Sequence, residues 1–196
     1  MAKRGFFCYN TQHLKIEVHM TLKSENGFEN LLGIGLVVVG VVMRLLPHPG
    51  NFTPVTAIAL FSGVVLAPQI ALFLPLIIMI ASDLLIGPHA LYPLTWGSFF
   101  LVSLLGLSIR GNAKGGRIFL GTLGGSIIFF IITNLGVFIF QNMYEKSWQG
   151  LAVCYTMALP FFRNTLLSDL LFSALLFGVF AAVKNYSKRL ISQKIS

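Results

Sequence analysis

Charge is scarce in this sequence. Only 10% of its 196 residues are Asp, Glu, Lys or Arg, against roughly a quarter in a soluble domain. That scarcity excludes a water-soluble enzyme and a disordered tail. Acid is scarcest: six carboxylates stand against 14 Lys and Arg, and Asp83 and Asp169 are the only aspartates. Cysteine is nearly missing as well, and two thiols at positions 8 and 154 build no disulfide framework. Phosphate-loop chemistry is absent: Gly115-Gly116 followed by Gly121 lacks the strand, the Lys-Ser/Thr pair and the spacing. Any use of ATP therefore belongs to a partner. The formal net charge of +8 points to no nucleic-acid partner, because the cations form no stripe interleaved with aromatics.

What is present is apolar: 56% of the residues are hydrophobic, 18 of them Phe, and the mean hydropathy is +0.82. Half of the charged residues lie between Phe28 and Val183; six precede that stretch and four follow it. The sequence therefore predicts a cytoplasmic tail over 1–28, one lipid-embedded domain over 29–183 and a basic cytoplasmic tail over 184–196. Residues 1–27 carry no apolar core of a signal peptide, and Met20 is an alternative start.

Apolar runs bounded by Gly, Pro and charge predict an all-α polytopic membrane protein with six transmembrane helices: 29–46, 54–66, 69–86, 94–109, 117–140 and 165–183. Between the last two, residues 146–160 are only moderately apolar and end at Pro160, which reads as a short interfacial or re-entrant helix. The second run rises only about 20 Å at about 1.5 Å per residue, against a hydrocarbon core of about 30 Å. Charge argues that it crosses. With six crossings, Arg110, Lys114 and Arg117 fall on the same side as Lys184, Lys188, Arg189 and Lys194, inside with both termini.

That topology puts the unusual polar residues outside, in or beside the loops 47–53, 87–93 and 141–164. Asp83 and Asp169 each sit about one turn inside an outer helix end, where a carboxylate is costly unless paired or wetted. Arg44 and Arg163 are cations at the same depth. Two readings stand side by side: salt bridges that lock the helix ends, or a polar pocket that meets a ligand. His48, His89 and Cys154 come from separate elements without ligand spacing, so no metal site and no cofactor is expected, and no catalytic residue either. Asn134 reads as interhelical glue or as pocket lining. Glycines in the first and fifth helices, and Ala59-x-x-x-Gly63, permit close backbone approach, within the bundle or against a second membrane protein.

The run Arg44-x-x-Pro47-His48-Pro49-x-Asn51-Phe52-Thr53-Pro54, continuing to Gly63, together with Ser82-Asp83 and Pro160-Phe161-Phe162-x-Asn164-Thr165, resembles an uncharacterised family of small bacterial integral membrane proteins. That family is itself similar to the S components of energy-coupling-factor (ECF) vitamin transporters. The resemblance implies a multi-pass protein of the bacterial cytoplasmic membrane, not an enzyme. It would bind a vitamin, a precursor or a metal ion from the outer side and associate with an ECF-type coupling subunit and ATPases. The first helix lacks the Ala-x-x-x-Ala pattern often used against that subunit; Gly33 to Gly40 or Ala59 to Gly63 stand in its place. The expected pocket comprises Arg44, His48, Asn51, Asp83, His89, Arg163, Asn164 and Asp169, with Tyr92, Trp96 and Tyr155 as apolar walls. A membrane scaffold or assembly factor without a transported ligand is the alternative.

Overall fold

The computed structural model describes residues 27–87 and 90–195. Every regular element in them is helical: α1 (Gly27–Leu45), α2 (Val55–Val65), α3 (Pro68–Ile86), α4 (Tyr92–Ile109), a 3-10 turn (Arg110–Asn112), α5 (Gly115–Phe140) and α6 (Trp148–Ile195). Five of the six, all but α2, are long and apolar enough to cross a membrane. The chain is a membrane protein, and its outward faces agree: Leu31, Leu84 and Leu120 are each at least 66% exposed, as side chains facing lipid rather than water would be.

The short α2 is the centre of the molecule. Val55 to Gly63 are all buried, an all-round apolar helix that only a surround of other helices can accommodate. Ile58, Leu60 and Phe61 pack there with Leu74 and Ile78 of α3 and Phe99 and Val102 of α4, while Phe61 meets Phe177 and Phe180 of α6 edge-on. Small residues make the closest approaches. A methyl group on Gly63 would overlap the backbone of Ser103 and Gly106, and one on Gly40 would overlap the Ile78 side chain. The faces that the sequence left open to a second membrane protein, Gly40 and Ala59–Gly63, are thus taken up inside the bundle.

Two sets of contacts define the ends of the bundle. At one, the Ala67 N–H donates to Glu29 Oε2 at 2.9 Å, and Arg110 donates to the carbonyls of Gly63, at 3.0 and 2.9 Å, and of Leu66. The start of α1, the α2–α3 turn and the end of α4 therefore lie together. Arg110 supplies a cation and several donors to the last carbonyls of α2, which have no intrahelical partner. Arg110→Ala is expected to lose about 2 kcal/mol, and Arg110→Lys to recover less than half of that, because an ammonium cannot reproduce the guanidinium fork. Denaturant unfolding in detergent checks both. At the other end α1 stops before Pro47, and α3 stops at Gly87, whose φ of 108° suits glycine and whose N–H donates to the Asp83 carbonyl at 3.0 Å.

The largest departure from expectation is α6. In place of a short interfacial helix followed by a separate span, one helix of 48 residues runs from Trp148 to Ile195, through Pro160. Its length is about 72 Å, more than twice the hydrocarbon thickness. Pro160 removes one backbone donor, but the turns on either side are helical and continue through it, as proline in membrane helices permits. The first turns of α6 pack on the last turns of α5: Tyr155 donates to the Ile131 carbonyl at 2.8 Å and Cys154 Sγ lies 3.5 Å from the Asn134 carbonyl.

Candidate functional site

The second end of the bundle is held by charge. Arg44 reaches from the last turn of α1 to α3, with Nη2 2.6 Å from Asp83 Oδ1 and Nη1 2.8 Å from the Met79 sulfur. Trp96 of α4 donates from Nε1 to Asp83 Oδ2 at 2.9 Å, and the Tyr92 ring lies against that of Trp96, centroids 5.4 Å apart and planes tilted by 40°. Three helices thereby share one carboxylate. Asp83 is almost fully buried, its side chain 3% exposed and that of Arg44 15%, so the pair is desolvated and each partner needs the other.

The Pro-rich loop 46–54 covers this end. Its turn closes with the Phe52 N–H donating to the Pro49 carbonyl at 2.9 Å, and Asn51 takes the left-handed backbone, φ 62°, which asparagine tolerates better than other side chains. The loop is strapped to α6: Asn164 Nδ2 donates to the Gly50 carbonyl at 3.1 Å and Ser168 Oγ to the Thr53 carbonyl at 3.2 Å. His48 Nδ1 lies 2.8 Å from the Pro49 carbonyl. A carbonyl only accepts, so Nδ1 carries the proton there and Nε2 is left as an acceptor if the ring is neutral.

Beneath the loop is a cavity of about 520 Å³ lined by Arg44, His48, Asn51, Met79, Phe99 and Phe129 and by four threonines, Thr53, Thr56, Thr95 and Thr165. It adjoins a second of about 360 Å³, with which it shares Asn51, Thr95, Phe129 and Thr165. The second is walled by aromatics and thioethers, among them Phe130, Tyr144, Met157, Phe161 and Phe162. The first compartment thus carries the more polar side chains, with the Thr95 and Thr165 hydroxyls donating back to the carbonyls of Leu91 and Phe161, and the second is more apolar; a few polar groups in an apolar concave wall are the composition of a small-molecule site. The Arg44 charge is already matched by Asp83, while its Nε is buried without a partner among the described residues.

Of the eight expected pocket residues, the structure brings Arg44, His48 and Asn51 to the cavity wall and sets Asp83 behind Arg44. His89 lies outside the described residues. The other three lie elsewhere. Arg163 is on the exposed face of α6 and lines neither cavity, and Asn164 spends its amide on the loop backbone. Asp169 is fully buried and meets Ser126 in the middle of α5 at 2.7 Å. The reason is α6 itself: a helix that begins at Trp148 rather than at 165 places Asp169 deep in the bundle instead of one turn from its end. Trp96 and Tyr155 are fixed by hydrogen bonds to Asp83 and Ile131 rather than forming the cavity wall. The lining threonines and Phe129 were missed, because a hydroxyl on an apolar helix usually bonds back to its own turn. Asn134 does so, donating to the Phe130 carbonyl at 2.8 Å, and also lines the aromatic compartment.

A family model described as a family of unknown function (DUF6580) matches residues 24–190. No curated protein and no solved structure matches the chain.

Proposed function

The chain belongs to the DUF6580 family of unknown function, and for it we propose an S-component-like role: a membrane protein that binds a small solute in the cavity beneath the 46–54 loop. The observation that carries this reading is the cavity's make-up, the side chains of Arg44, His48, Asn51 and four threonines beside an aromatic compartment. A purely structural helix-end lock needs Arg44, Asp83 and Trp96; it does not need a space of that size beside them. The solute is uncharged overall or weakly anionic, since Arg44 is already neutralised, and its class is a vitamin, a precursor or a comparable small polar molecule.

The proposed topology has six crossings, α2 included, in the bacterial cytoplasmic membrane with both termini inside. Its support is the pairing of ends: the Glu29–Ala67–Arg110 end carries the basic 110–117 segment, and the Arg44–Asp83–Trp96 end carries none of it. The cavity then opens outward. Uptake would be energised by partner subunits, an ECF-type coupling subunit and ATPases being the class that the likeness suggests.

Native mass spectrometry of the detergent-purified protein tests the reading, comparing the natural chain with Thr95→Phe, which fills both compartments without touching the Arg44–Asp83 pair. The expected result is a small-molecule adduct on the natural chain that is lost in the variant while its thermal unfolding stays cooperative. An adduct-free chain that copurifies with one membrane protein would favour the scaffold reading instead.

A further inference from the structure

We propose that Asp169, buried where α2, α5 and α6 meet, is the binding site of a small monovalent cation. Three elements build it. α6 contributes the carboxylate, with no side-chain exposure; α5 contributes Ser126, whose Oγ is 2.7 Å from Oδ2; α2 contributes Thr56, a second hydroxyl beside the carboxyl. Oδ1 is buried and has no partner among the described residues.

Such a group must be neutralised by something. No Lys, Arg or His does so: the one salt bridge among the described residues is Arg44–Asp83. The groups that meet Asp169 are the hydroxyls of Thr56 of α2 and Ser126 of α5, and neither titrates near neutrality. A carboxylate in the membrane interior with no fixed counter-charge is costly, and such groups mark ion pathways. The oxygen set suits a hard cation, and a single carboxylate balances one positive charge, not two.

The hydroxyls can adapt to a cation. Ser126 Oγ is also 3.1 Å from the Thr122 carbonyl, so its proton can turn there and leave a lone pair facing the ion. One turn further along, Thr122 donates to Ser173 at 3.1 Å, continuing the polar seam between α5 and α6. In the other direction Thr56, the hydroxyl beside the carboxyl, also lines the cavity, so one residue belongs both to the Asp169 cluster and to the cavity wall. A side chain shared in this way couples the cation site to solute occupancy.

The proposal stands on the α2–α5–α6 geometry and is tested without any solute. Thermal unfolding of the full chain in detergent is followed in sodium chloride against choline chloride at equal ionic strength. In sodium-free buffer, labelling of Asp169 by dicyclohexylcarbodiimide, which reacts with protonated carboxyls, is followed against pH. Sodium is identified by a midpoint that rises with its concentration, the proton by labelling that falls as pH rises. Either response is expected to vanish in Asp169→Asn. In Ser126→Ala, which keeps the carboxyl and carries the test should the first variant not fold, the apparent affinity is expected to weaken about tenfold. A natural chain indifferent to both cations, or responses of equal size in Asp169→Asn and Ser126→Ala, would overturn the site.

Discussion

Gly63→Leu is expected to leave little or no folded protein. A Cβ at Gly63 would stand 2.8 Å from the Gly106 Cα and 2.9 Å from the Leu107 nitrogen, and closer still to the Ser103 carbonyl; in the other direction, a Cβ on Gly106 would stand 2.9 Å from the Gly63 Cα. All of these are backbone atoms, so no rotamer change relieves the overlap, and α2 and α4 must separate. Separation opens the whole core around α2. The cost is expected at or above the upper end of overpacking penalties, at least about 3 kcal/mol, with Gly63→Ala a milder version of the same defect. Gly97→Ala is the control, since nothing lies within 4 Å of the added methyl. Fluorescence-detected size exclusion and denaturant unfolding would show it: a monodisperse Gly63→Leu of natural stability would mean that α2 and α4 do not cross as described.

Arg44→Met is expected to cost about 3 kcal/mol, because it strands Asp83 in a site where its side chain is 3% exposed. Trp96 would remain as a donor, but an indole N–H does not balance a charge. The companion variant separates the pair's worth from the penalty of breaking it. Asp83→Asn added to Arg44→Met removes the stranded charge and keeps an acceptor for Trp96, and is expected to recover more than half of the loss. Measured as a double-mutant cycle by denaturant unfolding, an Arg44→Met cost near the 0.5 kcal/mol typical of exposed ion pairs would show that this end of the bundle is wetter than the structure has it.

Much of the architecture was legible because lipid leaves few options. A backbone in hydrocarbon satisfies its polar groups as helix or closed barrel, and apolar runs separated by Pro, Gly and cations located α1 to α5 within two residues. Ala59-x-x-x-Gly63 correctly marked a close approach, although sequence alone could not name Gly106 as the residue across from it. The Arg44–Asp83 pair was legible for a simple reason: few charges share that depth, and few pairings bring opposite signs together. Arg163 failed the same logic, because nothing in the sequence says which face of α6 it occupies.

Pro160 misled. In water a proline after a moderately polar stretch ends a helix, but in lipid the alternative to helix is an unsatisfied backbone, and α6 continues through it. That single difference moved Asp169 from the rim of the expected pocket to the interior and left its place in the lining to threonines. Their role depends on which helices meet, and side-chain hydroxyls on apolar helices carry no periodic signal of that.

The central claim, a polar cavity that opens to the outer face, is most directly tested at His48, which is exposed at its wall. In a background without Cys8 and Cys154, His48→Cys is treated with a membrane-impermeant maleimide in intact cells and in inside-out vesicles. The account predicts labelling in intact cells and protection in the vesicles. Labelling confined to the inside-out vesicles would contradict it, placing the cavity on the cytoplasmic side together with every role assigned to its lining.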